Sequence, residues 1–222
     1  MLEPKRKLRV AFRVDLDCSN LRPAPTVRRC SMWPGASHSS EFAQVLSRLS
    51  TVVEELQLAA QEPLDLAFLT SSLQCARLRK LVVARVPAGF SALLAACTNL
   101  KQLHVRDCAT ERVDAVWDEI GSLQSLEHLE VTVPGTSVLK FHHDCLRRLP
   151  KLQSLHLRLG ARLAGETRQE KREVGCLSLA GLSEILLEDC RFSELAPMVR
   201  TCTSVRVLTF RSVDFRGANL SE

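Results

Sequence analysis

The chain contains no tyrosine, and aromatic residues make up only 5% of its 222 residues. A surface that stacks nucleobases needs aromatic platforms, so this scarcity argues against single-strand nucleic-acid binding. Long apolar runs are also missing. No stretch approaches the roughly 20 residues that a membrane helix requires. The first residues, MLEPKRKLRVAF, lack the apolar core of a secretory signal. Four chemical signatures are absent as well: no G-x-S-x-G elbow, no phosphate-binding P-loop, no G-x-G-x-x-G turn and no C-x-x-C pair. Enzyme classes built on these motifs, and the cofactors they hold, find no support. Excess charge is small. Thirty basic and 25 acidic side chains give a net charge of +5, less than a dedicated nucleic-acid binder concentrates on one face.

What the chain does have is a pattern that recurs seven times. Leu100, Leu103, Val105 and Cys108 are spaced L-x-x-L-x-L-x-x-C. The same frame fits Val53/Leu56/Leu58, Leu78/Leu81/Val83, Leu126/Leu129/Val131, Leu152/Leu155/Leu157, Leu182/Ile185/Leu187 and Val205/Leu208/Phe210. Successive frames are 25, 22, 26, 26, 30 and 23 residues apart. A self-similar period of this size marks a stack of supersecondary units, none of which can bury its apolar face alone. After each short strand comes a segment with apolar residues three and four apart, the helical period. The clearest are Phe90–Ala96, Val113–Ile120 and Val138–Leu149. The segments 64–73, 174–179 and 192–199 follow the same rule.

Residues 1–49 read as an N-terminal cap. Leu8, Val10, Phe12, Val14 and Leu16 alternate with Arg9, Arg13 and Asp15, as in a half-buried strand. The proline- and serine-bearing segment 19–39 reads as a loop. Phe42, Val45, Leu46 and Leu49 then have helical spacing behind Ser39 and Ser40. Residues 50–222 hold the repeats. An array needs a polar cap at each end, and none follows the seventh frame, so that end reads as truncated or as covered by something else. The longest step holds GARLAGETRQEKREVG, residues 160–175, read as an enlarged solvated loop.

The nine cysteines carry no disulfide or metal-site spacing. Cys75, Cys97 and Cys202 stand three places before the first apolar residue of their frames, while Cys108 and Cys190 occupy the ninth position. They read as small apolar core residues. His142, His143 and Cys145 suggest a metal cluster only superficially, because adjacent helical residues point about 100° apart and two ligands do not close a zinc site.

The segments CTNLKQLHVRDC (97–108), LSLAGLSEILLEDC (177–190) and CTSVRVLTF (202–210) resemble leucine-rich repeats of the cysteine-containing type. The resemblance covers about residues 50–215 and implies an α/β leucine-rich repeat solenoid, a horseshoe. Its parallel sheet would line the concave face and its helices the convex face. Such repeats also occur in substrate receptors of ubiquitin ligases, the F-box/LRR-like proteins. The Leu-Pro start and long apolar helices of an F-box are missing from residues 1–50.

Side chains alternate across a strand. If frame positions four and six face the core, positions three, five and seven face the open side in three columns. The first is Glu55, Lys80, Gln102, His128, Ser154, Glu184, Val207. The second is Gln57, Val82, His104, Glu130, His156, Leu186, Thr209. The third is Ala59, Ala84, Arg106, Thr132, Arg158, Glu188, Arg211. Repeats three to five gather Gln102, His104, Arg106, His128, Glu130, His156 and Arg158, the expected partner-binding patch. Arginine offers five donors suited to carboxylates, so the expected partner is another protein presenting an acidic segment. A metal or acid–base role for His104, Glu130 and His156 is the competing reading. It is limited by the roughly 9–10 Å between strands two apart. The expected function is therefore non-enzymatic protein binding, with a ubiquitin-ligase substrate-recognition role as the alternative. The expected compartment is cytoplasmic, or nuclear if the basic run Pro4–Arg9 acts as an import signal.

Overall fold

A computed structural model describes residues 9–12, 29–32, 53–59, 75–84, 86, 89–106, 113–132, 143–158, 181–190, 192, 199 and 202–215. Within them, nine strands form one sheet: β1 (Arg9–Phe12), β2 (Arg29–Met32), β3 (Glu55–Ala59), β4 (Lys80–Ala84), β5 (Gln102–Arg106), β6 (His128–Thr132), β7 (Ser154–Arg158), β8 (Glu184–Glu188) and β9 (Val207–Arg211). Their order in the sheet is their order in the chain, and every neighbouring pair is parallel. A parallel neighbour needs a crossover connection, and the period of the frames supplies one at each step.

Register follows the frame residue for residue. Leu56 pairs with Leu81, Leu81 with Leu103, Leu103 with Leu129, Leu129 with Leu155, Leu155 with Ile185 and Ile185 with Leu208. The reason is that a slip of one residue would turn every apolar side chain out of the core. Side chains at frame positions four and six are buried from β3 through β8. Those at three, five and seven are half-buried or exposed in β4 through β8.

Helices close the core face. α1 (Phe90–Ala96) inserts Phe90, Leu93 and Leu94, and α2 (Val113–Ile120) inserts Val116, Trp117 and Ile120. Both ranges agree with the periodic segments in the sequence. α3 (His143–Arg147) occupies part of the expected 138–149 segment and buries Cys145 and Leu146. Gly89 stands before α1 with φ 75°, in the left-handed region that glycine enters without a Cβ penalty. Before β4 the connection tightens into a 3₁₀ turn, Cys75–Arg77.

One difference from the sequence reading lies at the N-terminus. Arg29–Met32, inside the segment read as a loop, forms β2 and pairs on both sides, with β1 and with β3. Prolines and serines around it hide a four-residue strand too short to show periodicity. The expected helix at 42–49, the loop at 160–175 and the segments 64–73 and 174–179 lie outside the described residues.

Of the frame cysteines, Cys108 lies outside the described residues, and the described ones sit in or against the core. Cys75, Cys97 and Cys190 are buried, as is Cys145 on α3, while Cys202 is half-buried. Cys75 and Cys97, at equivalent positions in successive units, share a side-chain hydrogen bond. That bond, reinforced by burial, pushes the Cys97 thiol far above its ordinary range, and against the pull of burial it holds the Cys75 thiol below its own. No helix among the described residues is long and apolar enough to cross a membrane.

The last strand differs from the others. Ile185 and Leu187 on β8 are fully buried, yet their register partners on β9, Leu208 and Phe210, are 40% and 36% exposed. Phe210 packs edge-on against Phe192 and Phe215, with ring centroids 5.4 and 5.2 Å away.

Candidate functional site

Three consecutive strands of equal length and register bring His104 (β5), Glu130 (β6) and His156 (β7) side by side on the open face. Each occupies the middle position of its strand, flanked by two buried aliphatic residues that anchor the backbone in the core. The second column continues into Leu186 on β8, while the neighbouring column adds Glu188.

These side chains form a chain of contacts across the sheet. His104 Nδ1 lies 2.6 Å from Glu130 Oε2. A carboxylate only accepts, so the ring nitrogen donates. His156 Nδ1 stands 3.9 Å from the same oxygen, and its Nε2 lies 3.3 Å from Glu188 Oε2. Of the two, only the Nε2 contact with Glu188 is within hydrogen-bond distance. Arg106 reaches diagonally to Glu130, Nε to Oε1 3.5 Å. Arg158 turns the other way and donates from Nε to Asp189 Oδ2 at 2.9 Å. The hydrogen bond from His104, with the charges of His104, Arg106 and His156, holds the Glu130 carboxyl below the usual glutamate range, against the opposing pull of burial.

Of the seven expected residues, His104, Arg106, Glu130 and His156 share contacts. Gln102 and His128 stand in the first column, one step nearer the strand starts, and flank the cluster without a hydrogen bond to Glu130 among the described residues. Arg158 belongs to the same face but engages the end of β8. Two acidic residues of the cluster are not among the seven. Glu188 sits in the third column, where only its position hints at a role. Asp189 follows β8 with φ 51°. This left-handed backbone is one that Asp tolerates better than most residues, and it aims the carboxylate at Arg158. No periodic rule marks a residue just beyond a strand.

Chemically, the cluster is charge-balanced rather than basic. Arg106 faces Glu130, Arg158 faces Asp189, and His156 faces Glu188. Among the described residues, no group of three or more His, Cys, Asp or Glu side chains is disposed to hold a metal ion. The geometry of the histidine column gives a reason. Two ligands of one tetrahedral zinc stand about 3.3 Å apart, given bonds of ~2.0–2.1 Å, whereas His104 and Glu130 are in direct hydrogen-bond contact at 2.6 Å.

No family model and no curated protein matches this chain.

Proposed function

We propose that the chain is a non-enzymatic protein-recognition module, a leucine-rich repeat solenoid whose open sheet face is concave and contacts the partner. The observation that carries this reading is the connected series His104–Glu130–His156–Glu188. Four side chains on four consecutive strands are held in place by backbone register and by one another. Side chains already ordered by a fold lose little conformational entropy on binding. Arg and partly buried polar groups around an interface centre supply directional contacts. Sequential parallel strands with helices on one face support the horseshoe, because the helical side is the wider one.

The patch suits a partner of mixed charge. A carboxylate approaching Arg106 or Arg158 has to compete with Glu130 or Asp189, each already in place.

The test is affinity capture with quantitative mass spectrometry. His104→Ala combined with His156→Ala is expected to deplete a defined partner at least tenfold, while Arg148→Ala, on the helical side, retains it. A partner captured equally by the wild type and both variants would refute the open-face reading. Circular dichroism confirms folding in each case.

A further inference from the structure

The residue just before each strand forms a column of its own. The amide of Arg79 donates to the Glu54 carbonyl at 2.7 Å. The Lys101, Glu127, Gln153, Ser183 and Arg206 amides donate to the corresponding carbonyl of the preceding unit at 2.8 Å. Two residues earlier, beyond a buried leucine in each unit, runs a parallel column: Arg77, Asn99, Ser125 and Lys151. The Asn99 side-chain amide donates to the Ala76 carbonyl at 2.7 Å and ties the outer column together.

Between the two columns lies a groove of about 660 Å³ at the edge of the sheet where the strands begin. It is distinct from the open face. Its charged lining is Arg77, Arg79, Lys101 and Lys151 against Glu54 and Glu127, two positive charges in excess. Lys101 Nζ bonds Glu127 Oε1 at 2.7 Å and holds that carboxyl below its usual range, so one of the two carboxylates is already neutralised within the fold. Arg77, Arg79, Lys101 and Lys151 are all exposed. The amides of the inner column are consumed by the ladder. An anion in the groove therefore meets side-chain donors, and the arginines offer paired N–H groups that match a carboxylate.

We infer that this groove binds an extended acidic peptide segment of a protein partner. Its dimensions fit. Four units at about 4.8 Å per strand span roughly 14 Å, the length of about four extended residues at ~3.3 Å each. Carboxylates on such a segment would lie opposite Arg79 in the middle and opposite Arg77 and Lys151 at the two ends, while Lys101 stays engaged with Glu127. The open face, whose two arginines are each paired with a carboxylate, is the weaker competitor for the same segment. The inference rests on the protein-recognition reading only for the class of partner.

The experiment uses a fluorescently labelled hexaglutamate peptide with blocked termini, titrated into the full chain at low and at physiological salt and followed by anisotropy. Saturable binding is expected, weakened at least tenfold by Arg79→Glu with Lys151→Glu and by the milder Arg79→Gln with Lys151→Gln. Binding should be unchanged by Arg106→Glu with Arg158→Glu. Higher salt should weaken it, as for exposed charges. Absence of saturable binding to folded protein overturns the proposal. So does sensitivity to the Arg106/Arg158 pair instead of the rim pair. Tighter binding of an oligonucleotide of equal charge overturns it too, because the groove would then select a nucleic acid. A failed rim with a successful capture test leaves the open-face reading standing, and the reverse holds equally.

Discussion

His104 and Glu130 are 26 residues apart in the chain, yet the ring Nδ1 and the carboxylate Oε2 meet at 2.6 Å across adjacent parallel strands. The contact exists because both residues hold the fifth position of their frames, and equivalent positions pair across the sheet. A one-residue slip of β6 against β5 would turn Glu130 to the other face.

Glu130→Gln tests what that contact contributes. The carboxyl is held below its ordinary value of 4.5. A depressed folded-state pKa stabilises the fold above the unfolded value, and that contribution is lost as pH falls through the folded one. Urea unfolding between pH 3 and 7 should show the wild type about 1 kcal/mol more stable than the variant near neutrality. The difference should shrink below about pH 4.5. A pH-independent difference would show that shape, not charge, is what the variant lost.

Core positions divide by place in the stack. Leu155 is fully buried and Leu208 is 40% exposed. Leu155→Ala should cost about 2–5 kcal/mol, the range for a buried leucine whose site cannot collapse. Leu208→Ala should cost well under half as much. Equal losses by chemical denaturation would mean that β9 is covered in solution.

Asp189 combines a left-handed φ of 51° with the bond to Arg158. Asp189→Asn should keep the backbone at little cost, since Asn tolerates that region. Asp189→Val should destabilise by about 1–2 kcal/mol. Thermal melts of the two variants separate backbone preference from the ion pair, because both lack the carboxylate.

Thiol chemistry should follow burial and pairing. Cys97, buried and held protonated by its bond to Cys75, should resist alkylation until the protein unfolds. Cys202 is half-buried, and desolvation raises its thiol, so it should react slowly at pH 7 and faster at pH 9. Peptide-resolved mass spectrometry after timed iodoacetamide treatment reads each site. Rapid labelling of Cys97 in the folded protein would contradict its packing.

Much of the arrangement was legible because the frame states it twice. The apolar positions define which face is buried, and the period defines which residues become neighbours. Leu56, Leu81 and Leu103 fall into register for that reason, and so do His104, Glu130 and His156. What the frame could not carry was anything outside its period. β2 is four residues among prolines and serines. Asp189 is placed by a local backbone turn, and the pairing of Arg158 with Asp189 depends on side-chain direction. The pairing of the patch's arginines with Glu130 and Asp189 is a property of side-chain contacts, which residue types alone do not state.

The exposure of Leu208 and Phe210 has a kinetic consequence. A sheet in which each strand touches only its two neighbours behaves as a linear chain of coupled units, whose loss begins where a unit has fewest neighbours. Amide protection should therefore fall toward β9, and opening should travel inward strand by strand. The His104–Glu130–His156 series, in the interior of that line, would be among the last parts to exchange.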